Sequence, residues 1–368
     1  MKSKAKVLFI MQLTPPVHGA SVTGESIRKS QAISSKFDCH FIRISTVSEK
    51  GGLLMKWINL IKLYFNTLFH FIKNNYDLVY ITPCSSGFLP FYKDFGLCVI
   101  SKLFCKQVIY HYHDKGISTN RNVPSFIFKI YFRRVKVILS SPRLYYDIKK
   151  YVKPDDVYYC PYGIYDKGEL PDLEKKPDNK VAILFLAHML RTKGVFDLLE
   201  ACKILANHGV NFVCKFVGSW YDITEEEFIQ FVRINRLEEK IKFLGPQYGQ
   251  DKDKVLCQSD IFCLPTFYPM ECFPLIILDA MRWNLPVIST SEGAISEIID
   301  HGVNGFVVNK NSPQELAEKI NYLIHHNDVR IKMGAAGRQK FVNRYTFEIF
   351  ENTLTDIFCK VISKGRLN

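Results

Sequence analysis

Acidic residues are scarce in the first half of this chain. Residues 1–178 hold 27 Lys and Arg against 14 Asp and Glu, whereas residues 179–368 hold 22 against 22, so the net charge of +13 sits in the first half. A face of that sign suits an anionic membrane surface or a phosphate-bearing acceptor. Nucleic acid is the competing partner, and no nucleic-acid-binding motif supports it. Paired cysteines are lacking too: eleven are scattered from Cys39 to Cys359 with no C-x-x-C spacing. Most lie in apolar runs, which implies buried reduced thiols in a cytoplasmic protein rather than disulfides or zinc ligands. No uninterrupted apolar run is long enough to cross a bilayer, because residues 53–75 are broken by Lys56, Asn59, Lys62, Asn66 and His70. Lys2, Lys4 and Lys6 lead only into a short apolar strand, which is not the pattern of a secretory leader. A G-x-G-x-x-G fingerprint is absent, which disfavours a nicotinamide site. His111-x-His113 has no third ligand at a sensible spacing, so no metal and no cofactor are expected.

What is present alternates between short apolar runs and helical patterns, the signature of an α/β protein with parallel sheets. At 368 residues and 47% hydrophobic content the chain is long enough for two domains. Buried strands are expected at 6–11, 76–81, 107–114, 137–141, 181–187, 212–217, 241–246, 260–264 and 285–289. Residues 165–179 are charged and proline-bearing with little apolar content, which reads as a linker. That gives a first domain over 1–165, a second over 166–346, and a terminal helix near 347–368. Residues 53–75 follow helical spacing through Trp57, Ile61, Phe65, Phe69 and Ile72. Such a helix either packs on its own sheet or rests on a membrane with Lys56, Lys62 and Lys73 toward headgroups. Residues 126–138, with Lys129, Arg133, Arg134 and Lys136, are a second basic and aromatic stretch open to the same two readings.

The densest stretch is 265–300. A buried strand ends at Pro265, a loop carries Glu271, and a helix opens at Pro274 with Asp279 on its second turn. The amides of Cys272, Phe273 and Leu275 then lie at a helix N-terminus, where an anion is favoured, at the carboxyl edge of a sheet. Upstream, His188-Met-Leu-Arg191-Thr-Lys193-Gly194 follows another strand into another helix, a natural diphosphate site.

Glu271 and Asp279 with seven residues between them, followed by Ala-Met-x-x-x-x-Pro-Val-Ile, resemble the signature of retaining glycosyltransferases of family 4. The likeness implies the GT-B fold, two Rossmann-like domains facing each other across a cleft. It implies that the first domain binds the acceptor, that the second binds the nucleotide-sugar, and that the terminal helix packs back on the first. By the same resemblance Glu271 holds hydroxyls of the donor sugar and Asp279, usually Glu, holds the ribose. Lys193, with Arg191 as second cation, neutralises the diphosphate; the family's usual Gly and Arg upstream are here Ala187 and His188. Gly19, in the loop Pro15-Pro16-Val17-His18-Gly19, approaches the donor phosphates, and His113 rather than His111 faces the donor sugar. Gly218 sits near the donor, and the backbone at Gly245 reads the base. The implied reaction moves a hexose, with retention, from a nucleotide-sugar to a lipid-linked sugar acceptor in bacterial surface-polysaccharide assembly such as O-antigen or capsule. UDP is favoured over GDP, the acceptor is a polyprenyl-diphosphate-linked sugar, and the protein is peripheral on the inner face of the cytoplasmic membrane. Two rivals share the fold: a sugar-nucleotide 2-epimerase, and a non-catalytic nucleotide-binding subunit.

Overall fold

A computed structural model describes residues 4–15, 19–44, 53–84, 88–105, 107–168 and 180–367. Pro16 to His18, Ser86, the side chain of Lys56 and residues 169–179 of the expected linker lie outside them. The chain divides into two compact units, one of residues 1–162 with 348–368 and one of residues 163–347.

Unit 1 is built in the order β1 (Ala5–Met11), α1 (Gly19–Lys29), α2 (Gln31–Lys36), β2 (Phe37–Arg43), α3 (Leu53–Lys73), β3 (Leu78–Ile81), α4 (Phe88–Phe104), β4 (Val108–His111), α5 (Ser125–Phe132), β5 (Lys136–Leu139) and β6 (Val157–Tyr159). Its strands lie in the order β2-β1-β3-β4-β5-β6 and pair in parallel. The central strands β1, β3 and β4 are buried because both sheet faces carry helices, which is why they read as continuous apolar runs. Right-handed crossovers put α3, α4 and α5 on one face. Tyr110 of β4 accordingly packs against Tyr131 of α5, at 4.8 Å between ring centroids.

Unit 2 runs β7 (Val181–Leu186), α6 (Val195–Asn207), β8 (Phe212–Val217), α7 (Glu225–Ile234), β9 (Ile241–Phe243), α8 (Gly249–Cys257), β10 (Ile261–Leu264), α9 (Leu275–Arg282), β11 (Val287–Thr290), α10 (Ile295–Ile298), β12 (Gly305–Val308), α11 (Pro313–His325) and α12 (Asn327–Arg344). Its sheet is again parallel, in the order β12-β11-β10-β7-β8-β9. The order reverses between β7 and β10, and that reversal opens a crevice at the strands' carboxyl ends. The start of the expected linker is held by unit 2: Asp166 takes both guanidinium nitrogens of Arg338 at 2.8–2.9 Å, and Lys167 pairs with Asp253.

The last helix, α13 (Phe347–Leu367), belongs with unit 1 from Glu348 onward. Phe358 meets Phe9 of β1, Phe37 of β2 and Tyr80 of β3 at centroid distances of 5.5–5.9 Å. The face of the first sheet opposite α3–α5 is thus closed by residues more than two hundred positions away in sequence. Phe358→Ala should cost unit 1 about 3–5 kcal/mol, the usual penalty for an emptied aromatic site. Urea denaturation measures this, and a loss near zero would mean that α13 is an appendage.

Candidate active site

Two loops meet at the reversal point of the second sheet. The loop after β7 carries Lys193 and the loop after β10 carries Glu271. Lys193 Nζ lies 2.5 Å from Glu271 Oε2, and Thr266 Oγ1 donates to the same oxygen at 3.3 Å. Both charged side chains are largely withdrawn from water, Glu271 to 7% exposure. In such surroundings each charge depends on the other, because an unpaired buried carboxylate or ammonium is costly. The Lys193 ammonium also sits 5.0 Å above the ring of Tyr268.

The backbone around this pair has little freedom. Phe267 N donates to Thr192 O at 2.8 Å and stitches the two loops together. Gly194 has φ of +82°, and a Cβ there would lie 2.3 Å from Pro265 O, so only glycine lets the loops approach this closely. On the other side, Gly293 has φ of +55° and would place a Cβ 2.4 Å from Glu271 O. Ala294 N donates to Cys272 O at 2.8 Å, and Lys310 pairs with Glu292 next to that turn. Glu271 is therefore clamped from the loops after β7 and β11 together.

Asp279 lies on α9 as the sequence implies, but a second network surrounds it. Lys252 of α8 reaches Asp279 Oδ2 at 2.6 Å, and Arg282, one turn on, reaches Oδ1 at 3.3 Å. Arg282 also binds Asp253 at 2.5 Å and Tyr165 O at 3.2 Å. Burial works to raise the Asp253 carboxyl pKa, but its hydrogen bond from Lys167 and the charge of Arg282 outweigh it and bring the pKa below the usual range. Sequence reasoning missed Lys252 and Arg282. The i, i+3 spacing of Asp279 and Arg282 was a usable signal; Lys252, in a polar helix 27 residues upstream, offered none.

The remaining expected residues are spread. Pro274 occupies the N-cap position of α9, one residue earlier than the first helical residue Leu275. Cys272 and Phe273 are buried just ahead of it. Arg191 does not pair with the Lys193–Glu271 site: its guanidinium binds Glu227 of α7 and lies over the Phe196 ring, and its backbone N donates to Asp222 at 2.8 Å. Gly218 follows β8, where a Cβ would lie 1.8 Å from Ala187 O, whereas Gly245 has φ of +66° and open space around it. His188 is exposed, 6.2 Å from the Tyr221 ring.

In unit 1, β4 ends at His111, so His113 stands in the loop beyond the sheet. His113 Nδ1 and Tyr162 OH are 2.7 Å apart, and Tyr162 OH also donates to Tyr112 O at 3.0 Å. His111 is fully buried against Tyr80 OH at 2.7 Å. Burial, followed by the neighbouring His113, pushes its pKa well down, so His111 is a neutral core residue. Gly19 opens α1, but the close approach falls at Gly24, where a Cβ would meet Gln12 O at 2.1 Å. Among the described residues no three His, Cys, Asp or Glu side chains gather as a metal cage.

Residues 166–340 match the family model described as Glycosyl transferases group 1. That stretch, just under half of the chain, is similar to the group 1 glycosyl transferases. The chain is 28% identical over 179 residues to the amylovoran biosynthesis glycosyltransferase AmsK of Erwinia amylovora, 48% of this chain and 44% of that one. It is 26% identical over 191 residues to the capsular polysaccharide biosynthesis glycosyltransferase CapM of Staphylococcus aureus, 49% and 46% of the two chains. The chain thus spans less than half the length of these relatives. The whole fold resembles Anabaena Alr3699/HepE, solved in complex with UDP-glucose, with a TM-score of 0.73 at 18% identity over 96% of this chain and 99% of that one. That likeness carries the fold, which is GT-B.

The ion pair makes a direct prediction. Lys193→Met strands the Glu271 carboxylate and should destabilise the protein more than the double variant Lys193→Met/Glu271→Gln, with a coupling of about 1–3 kcal/mol. Urea unfolding of the four proteins measures the cycle, and additivity would mean that the pair is incidental.

Proposed function

We propose that the chain is a retaining glycosyltransferase of family 4, transferring a hexose from a nucleotide-sugar to a polyprenyl-diphosphate-linked sugar during assembly of a bacterial surface polysaccharide. Capsule and O-antigen are the products this reading favours, and UDP is its favoured nucleotide. The observation that carries it is the Lys193–Glu271 pair at the reversal point of the second sheet. The named activities of the amylovoran and capsule relatives, and the UDP-glucose held by the Anabaena protein, support donor and pathway class.

In this reading unit 2 holds the donor and unit 1 the acceptor. The ion pair opens by exchange: the donor diphosphate takes the Lys193 ammonium, and sugar hydroxyls donate to the Glu271 carboxylate. Each buried charge keeps a partner throughout, so neither is stranded. As the bond from the anomeric carbon to the diphosphate oxygen lengthens, negative charge grows on that oxygen beside Lys193 and the amides of Cys272, Phe273 and Leu275. Asp279 takes the ribose hydroxyls; because its carboxylate is one methylene shorter than the usual Glu and held by Lys252 and Arg282, Lys252 yields one oxygen to them. Arg191 joins the diphosphate only by leaving Glu227. Gly218 and Gly245 border the nucleotide.

Glu271→Gln keeps the shape of the site and removes its charge. Transfer from the productive UDP-sugar to a lipid-linked acceptor should fall about a hundredfold or more if the sugar contacts tighten in the transition state. Full activity in that variant would move the function away from this site. Conversion of the donor with no acceptor present would point to the epimerase instead.

A further inference from the structure

The outer surface of unit 1 carries large apolar side chains in the open. On α3, Trp57, Ile61, Phe65, Phe69 and Ile72 are 54%, 50%, 68%, 52% and 76% exposed. Their spacing of four, four, four and three residues lines them along one stripe. The opposite stripe of the same helix, through Leu63, Thr67 and Phe71, is buried. Packing on the sheet therefore accounts for half of this helix and leaves the other half to water. Further apolar side chains are exposed on α4: Phe104, which stacks on the buried Phe71 at 5.3 Å, is half-exposed, and Leu103 beside it is exposed. Lys102 then bridges to the carbonyl oxygens of Ile130 and Tyr131 at the end of α5, at 2.8 and 2.6 Å, where Ile130 and Phe126 are exposed.

The charge around the band has one sign. Residues 53–146 contain 13 Lys and Arg and three acids, Asp77, Asp94 and Asp114, an excess of +10. Asp94 is buried. Lys62, Lys73, Lys129, Arg133 and Arg134 are exposed along α3 and at the end of α5, and Lys73 Nζ sits 4.1 Å over the Phe69 ring. No helix among the described residues is long and apolar enough to cross a membrane.

We propose that this band is a membrane-docking face on which α3 lies in the plane of an anionic bilayer. Trp57, Phe65 and Ile72 enter the boundary between headgroups and acyl chains, and the flanking lysines and arginines meet lipid phosphates. A second copy of the chain is the poorer occupant, because it would bring the same positive face against itself; an anionic leaflet supplies the opposite charge. The docking face goes beyond the donor-site reading and does not depend on it, since lipid binding needs no nucleotide-sugar.

Flotation of the full chain with vesicles tests this. The protein should float with phosphatidylcholine vesicles containing about one third phosphatidylglycerol and not with phosphatidylcholine alone. Phe65→Ser/Ile72→Ser leaves every charge in place and alters only exposed side chains, so the fold should persist by circular dichroism. Binding should fall at least about tenfold, given the apolar area removed. Bromine on the lipid acyl chains should quench the part of the tryptophan fluorescence that Trp57→Phe abolishes. Unchanged binding of the double variant would overturn the proposal in favour of adsorption by charge alone. Failure of the parent protein to float with anionic vesicles would also overturn it; a dimer dissolved by the same two substitutions would then assign the face to a second copy.

Discussion

A carboxylate and an ammonium withdrawn from water together constrain more of this protein than any other contact. Neither Glu271 nor Lys193 is comfortable alone in a crevice of low polarity, so two loops separated by 78 residues of chain must meet at one point. The meeting is possible because β7 and β10 are neighbours in the sheet and both loops leave from their carboxyl ends. Gly194 and Gly293 are consequences of the same requirement, since a side chain at either would strike the opposing backbone. The fold, the glycines and the pair are one arrangement seen at three scales.

Both units carry a six-stranded parallel sheet, with different strand orders and different uses of charge. Unit 2 is balanced in charge and spends its ionic groups in internal networks, Lys193–Glu271 and Lys252–Asp279–Arg282–Asp253. Unit 1 buries aromatic rings instead, with Tyr80, Tyr110 and Tyr131 fully enclosed, and leaves cations such as Lys62, Lys73, Lys129, Arg133 and Arg134 exposed. An outward excess of cations attracts anions. A half that turns its charges inward is built to hold them in fixed positions, as preorganised electrostatic stabilisation requires.

Much of this was legible in the chain because it is local. Buried parallel strands announce themselves as short apolar runs, and β1, β7, β10 and β11 lie where those runs predict. Lys193-Gly194 and the Glu271 loop were readable for the same reason, each being a strand, a turn and a helix start in succession. Edge strands were harder. β2 carries Asp38, His40 and Arg43, since only one of its sides is covered by the sheet, and no apolar run marks it. The strand expected over 107–114 stops at His111, and that stop decides which histidine is core and which is loop. Contacts chosen by the tertiary fold were not legible at all. Lys252 reaches Asp279 from another helix, and Arg191 is captured by Glu227 in the acidic first turn of α7.

The most direct measurement is a calorimetric titration of the purified protein with UDP, with no metal added. The parent chain should bind UDP in the micromolar range and Lys193→Met at least about tenfold more weakly, through the loss of one charge-assisted contact to the diphosphate. If the variant binds UDP as tightly as the parent, or if the parent does not bind UDP or GDP, the ion pair at the sheet reversal is not a nucleotide-diphosphate site.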